Sequence, residues 1–93
     1  MSELSKCHNL SEDKEDAFVP GNMPETMFWS LTEISSIHSK KVILALRDHL
    51  VLGQERKNVC AIYSVNKGYF CTSLMRLYRI HRIVSELIPY YHK

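Results

Sequence analysis

Residues 56–82 read RKNVCAIYSVNKGYFCTSLMRLYRIHR, and no other stretch limits the fold as strongly. A short apolar-periodic segment runs into a polar break at Ser64–Asn66. A longer basic segment follows. The spacing predicts a helix-turn-helix, with one helix over about Glu55–Tyr63 and a second from after Asn66 to about Ile88. Val59 and Tyr63 should face the core, and Val65 should plug the turn. Phe70, Leu74 and Leu77 repeat at i, i+4 and i+7 and should anchor the second helix. Gly68, costly in a helix by about 1 kcal/mol against alanine, hints at a close backbone approach. Pro89 should stop the helix by removing a donor and crowding the preceding turn, leaving Tyr90 and Tyr91 to pack on the body.

Two further helices are expected upstream. One spans about Pro24–Ser35, capped by Asn22, with Met27, Phe28, Leu31 and Ile34 as its buried stripe. The other runs from Lys40 to Leu52 between a Ser39 cap and a Gly53 stop. It is apolar almost all round, with a narrow polar face at Lys40, Lys41, Arg47, Asp48 and His49, so it should lie centrally or meet a second subunit. With no strand pattern, the fold class is all-α: a small helical domain with a helix-turn-helix and a long C-terminal helix. At 93 residues the chain makes one domain, which the sequence divides into an acidic, flexible arm over 1–21 and a helical DNA-binding domain over 22–93. Ala17–Val19 is the part of the arm suited to pack on the body.

Charge is unevenly placed. Residues 1–35 carry Lys6 and Lys14 against seven carboxylates, a net −5, whereas residues 36–93 carry ten Lys or Arg against Asp48, Glu55 and Glu86, a net +7. A basic body with an acidic arm suits a polyanion partner, although uneven surface charge alone gives the same count. On a wheel of about 100° per residue, Tyr69, Thr72, Arg76 and Arg79 fall opposite the Phe70 side. Hydrogen-bonding and cationic groups in one stripe suit base edges and phosphates. Arg56 and Lys57, at the start of the first motif helix, oppose its dipole, which an anionic ligand would relieve. Lys67 joins this set. Past Arg79 both faces turn apolar, and Ile80, Ile83 and Leu87 form a candidate oligomerisation seam. A fold-back of the first helix is the other way to cover it.

Cys7, Cys60 and Cys71 form no CxxC pair and fit reduced thiols, with Cys60 and Cys71 as small buried packers. Cys7-His8 lacks further metal ligands, and no nucleophile–base–acid set or phosphate loop stands out. We therefore expect no enzyme, no metal and no cofactor. No signal segment or apolar run of about 18 residues is read, so neither secretion nor a membrane span is expected.

The segments ISSIHSKKVILALRDHLV, RKNVC, NKGYF and the terminal PYY resemble the PapB/FocB-type regulators of fimbrial adhesin biosynthesis, over about Pro20–Tyr91. The acidic arm carries none of the matching segments. The resemblance implies a cytoplasmic, nucleoid-associated transcription regulator of fimbrial operons that binds double-stranded AT-rich DNA as a homo-oligomer. It also places Arg56 and Cys60 among the DNA-binding positions, the thiol positioning Arg56 one turn earlier. Such regulators often carry a serine before that basic pair, where Glu55 stands here. A protein–protein adaptor acting on another transcription factor is the alternative use of the same helices.

Overall fold

The four expected helices form, and the computed structural model describes residues 16–91 of the chain. They are α1 (Glu25–Ser35), α2 (Lys40–Leu50), α3 (Arg56–Tyr63) and α4 (Lys67–Tyr91), preceded by a 3-10 turn at Asp16–Phe18. No strand occurs among the described residues. α2 is central and packs on α1, α3 and α4.

Local chemistry sets most boundaries. Ser39 caps α2 by accepting from the Val42 N–H at 3.4 Å, and Asn66 caps α4 by accepting from the Tyr69 N–H at 3.1 Å. Such side chains satisfy donors that a helix start leaves without partners. α3 ends where Ser64 turns left-handed (φ 56°). The Ser64 N–H then donates to the Ala61 carbonyl at 3.4 Å and the Val65 N–H to the Cys60 carbonyl at 2.9 Å. This is a Schellman ending, and it swings half-buried Val65 onto the core. Thus three residues, Ser64–Asn66, make the turn of the helix-turn-helix.

The core gathers Phe28 and Leu31 from α1, Val42, Ala45, Leu46 and Leu50 from α2, Val59 and Cys60 from α3, and Phe70, Leu74 and Leu77 from α4. Phe18 and Met23 join it from the N-terminal side. Phe18 sets its ring edge-on against Tyr78 at 5.3 Å and tilted against His81 at 5.4 Å. The end of the expected arm therefore belongs to the body, as Ala17–Val19 suggested, while residues 1–15 lie outside the described residues. The Leu50 carbonyl accepts from both the Gly21 and Met23 N–H groups, at 3.0 and 3.1 Å. This fastens the segment to the end of α2. A close backbone approach occurs where Gly21 meets Gly53, a pair the spacing gave no reason to join.

Several expectations need correction. Pro24, not Asn22, occupies the N-cap of α1, with no side-chain cap bond. Ile34 is exposed, and Thr32 and Ser35 take the inner positions beside Phe28 and Leu31. They tolerate burial because their hydroxyls donate to the Phe28 and Thr32 carbonyls at 2.9 and 2.7 Å. α2 stops at Leu50, two residues early, and Asp48 and His49 turn inward rather than lining a polar face. Asp48 accepts from the Tyr63 hydroxyl at 2.7 Å and pairs with Arg47 Nε at 3.1 Å. Arg47 reaches on to Glu25 at 3.5 Å, so the network ties α1, α2 and α3 together. Pro89 lies within α4, which continues to Tyr91. Tyr90 and Tyr91 are 76% and 81% exposed and do not pack on the body.

Candidate nucleic-acid interface

The three-residue turn brings the starts of α3 and α4 side by side. Arg56 and Lys57 from α3 and Lys67 from α4 border one small cleft, with Cys60, Phe70 and Cys71 as its remaining lining. Neither helix has an acidic residue in its first turn. Three cations therefore gather where two helix dipoles are positive, an arrangement that an anion would stabilise.

Cys60 is buried and free. Burial pushes its thiol up from the usual range, while the charges of Lys67 and Arg56 pull the other way. It stays protonated at neutral pH and acts as a small packing group. The sulfur that meets Arg56 is that of Cys71, to which Arg56 Nη1 donates at 3.9 Å. The contact of Arg56 with a cysteine sulfur expected of Cys60 is made by Cys71 on the facing helix, and Cys60 lines the same cleft. Cys71 is also disulfide-bonded, against the expectation of reduced thiols throughout. Glu55, the acid before the basic pair, is the N-cap of α3 and makes no side-chain cap bond.

A broader cleft adjoins the first along α4 and shares Cys71 with it. Thr72, Met75, Arg76, Arg79 and Arg82 contribute to its lining. No carboxylate lines either cleft. Tyr69, Thr72, Arg76 and Arg79 are all exposed. The Thr72 hydroxyl donates to the Gly68 carbonyl at 2.9 Å, which leaves its methyl group to meet a thymine methyl and its oxygen to accept from an adenine or cytosine amino group. The fold therefore brings Arg56, Lys57 and Lys67 next to the outer stripe of α4, with Cys60 beneath. Sequence reasoning missed Cys71 and Arg82. Arg82 follows Arg79 by three residues, which spacing alone signals. Cys71 looked like core, and only the approach of α3 gives it a second role. The pair Arg82–Glu86, 3.8 Å apart and exposed on both sides, contributes little.

The seam residues divide. Ile80 is half-buried and packs on the core, so it is not part of an open second face. Ile83 and Leu87 are 50% and 44% exposed, and Val84 and Ile88 beside them are exposed as well. α1 does not fold back over them. Among the described residues no group of three or more His, Cys, Asp or Glu is placed to hold a metal, and no helix is long and apolar enough to cross a membrane.

The family model for adhesin biosynthesis transcription regulatory proteins, PapB, matches residues 1–91. This chain belongs to the PapB family. The match takes in the acidic arm, which the segment-by-segment resemblance had left out. PapB of Escherichia coli, a major pilus subunit operon regulatory protein, is 50% identical over 78 residues, which are 84% of this chain and 75% of that protein. The AFA-III adhesin operon regulatory protein of E. coli is 44% identical over 82 residues, 88% of this chain and 81% of that one. The crystal structure of E. coli FocB superposes with a TM-score of 0.76 at 50% identity, covering 88% of this chain and 93% of that one. This PapB-family chain is thus a transcription regulatory protein and not an enzyme, and its all-α fold is that of FocB.

Proposed function

We propose that this PapB-family protein binds double-stranded, AT-rich DNA in the cytoplasm as a homo-oligomer, and so regulates an adhesin operon. The observation that carries this is the gathering of Arg56, Lys57 and Lys67 beside Arg76, Arg79 and Arg82, on adjoining clefts that no carboxylate lines. Arg56, Lys57 and Lys67 grip phosphates, and Tyr69, Thr72, Arg76 and Arg79 face the groove. Cys60 supports the first cleft from beneath. The preference for AT-rich sequence rests on the resemblance to PapB/FocB-type regulators, and the target operon on relatives named for pilus and adhesin operons. Oligomerisation draws on Ile83 and Leu87, exposed near the end of α4.

Binding of an AT-rich fimbrial promoter duplex across a salt series tests the reading. With about six cations on phosphates, log K should fall with log salt at a slope of roughly −5. Arg76→Ala should cost about 1–3 kcal/mol if it reads a base. Negligible affinity at low salt would remove DNA as the partner and leave the adaptor reading in its place.

A further inference from the structure

The outer face of α4 has two flanks, and the cleft of Arg56, Lys57 and Lys67 occupies one. On the other lies a cleft between α4 and the α1–α2 connector. Ser36, His38 and Ser39 form its connector wall, and Tyr69, Thr72 and Arg76 its α4 wall. Ser36 holds the connector in place with a left-handed backbone (φ 63°). Between the walls sits Ser73, only 4% exposed. It opens on the cleft, yet no hydrogen bond of its hydroxyl to a described residue is seen, although the neighbouring buried hydroxyls of Thr32 and Ser35 are both bonded. The residue is covered while its hydroxyl reaches the cleft, so a partner for that hydroxyl must come from the cleft itself.

The cleft has a cation, Arg76, an imidazole, His38, hydroxyl donors and no carboxylate. Lys40 and Lys41 follow Ser39 directly and are exposed. That set recognises a singly charged, oxygen-rich group that is also reached from the groove side. We propose that this cleft seats a backbone phosphate of the bound DNA, with the Ser73 hydroxyl donating to one of its oxygens, Lys40 and Lys41 adding charge on the same flank, and Arg76 contributing its field from the groove side. α4 then lies between two phosphate grips, one from the starts of α3 and α4 and one from the α1–α2 connector. The inference rests on the DNA-binding reading above and extends its footprint to residues outside the helix-turn-helix.

The test uses the full chain and the same promoter duplex, with Ser73→Ala, a Lys40→Gln/Lys41→Gln double variant, and Lys57→Gln as a marker for the first flank. Ser73→Ala should melt near the temperature of the parent, because its hydroxyl bonds no described residue, and should bind DNA several-fold more weakly. The double lysine variant should flatten the salt slope by about one to two units. Ethylation interference should show blocking phosphates on both sides of the groove for the parent, and the set on one side should fade in the double variant. If the parent binds and Lys57→Gln flattens the slope, but Ser73→Ala and the double variant bind like the parent, the second grip is overturned while DNA binding stands. If the parent itself shows no affinity, both fall.

Discussion

His49 shows how one buried side chain couples the end of α2 to pH. Its Nδ1 meets the Gln54 carbonyl at 2.8 Å, and its ring lies edge-on to Phe70 at 5.6 Å. Burial lowers its pKa below the ordinary 6.5; the Gln54 hydrogen bond opposes this and the Arg56 charge adds to it. The unfolded chain therefore takes up a proton near pH 6.5 that the folded chain refuses until lower pH. Stability is full above that range, falls as pH drops through it, and levels off below the depressed folded value. Thermal melts from pH 7.5 to 5.5 should show this decline, and His49→Asn, which can keep a donor for the Gln54 carbonyl, should shrink it. An unchanged pH dependence in the variant would assign the effect elsewhere. Asp48, the residue before it, is held differently: its Oδ1 and Arg47 Nε attract at 3.1 Å, and neither atom has a hydrogen-bond partner. Tyr63 keeps its proton more firmly because its hydroxyl donates a hydrogen bond to the Asp48 carboxylate.

Between elements, the joint that matters is the one fastening the N-terminal segment to the α2–α3 loop. Gly21 and Gly53 both have positive φ, 86° and 85°. A Cβ on Gly21 would lie 3.2 Å from Gly53 Cα, and one on Gly53 would lie 3.5 Å from Gly21 Cα. Both substitutions force a side chain into a backbone region that suits glycine, but the first also presses on backbone that cannot turn aside. Gly53→Ala should cost about 1 kcal/mol and Gly21→Ala more, within the ~1–3 kcal/mol expected of such strain, as read from urea unfolding of each variant. Equal costs would mean that the loop yields. A loosened joint should also disturb Phe18, since the chain between them is short. Gly53 was legible as a helix stop because glycine favours that ending. Its meeting with Gly21 was not, because the two lie 32 positions apart and only the packing of α2 brings them together.

At the scale of the molecule, α4 outruns the body. Its 25 residues span about 37 Å at 1.5 Å each, and the described residues measure 44 × 25 × 21 Å. The end of the helix leaves Ile83, Val84, Leu87 and Ile88 exposed with Tyr90 and Tyr91. An apolar surface of this kind suits a second copy. Ile83→Asp should shift sedimentation of the proposed oligomer towards the monomer while the chain still folds, because the residue is half exposed and stands outside the core. A sedimentation profile identical to the parent would move the subunit contact elsewhere. If the proposed oligomer binds the promoter, its loss should lower promoter affinity more than it alters the salt slope of a single site.

The sequence by itself determined the helix count, the turn at Ser64–Asn66, the anchoring of α4 by Phe70, Leu74 and Leu77, and the basic stripe. These are periodic or local features, fixed within a few turns of the chain by capping, spacing and side-chain volume. The tertiary structure decided that Cys71 rather than Cys60 meets Arg56, that Ile34 faces water while Asp48 and His49 turn inward, and that the α1–α2 connector stands beside the outer face of α4. Each of those depends on which helix lies across the way, and one helix's sequence carries no record of its neighbour's direction.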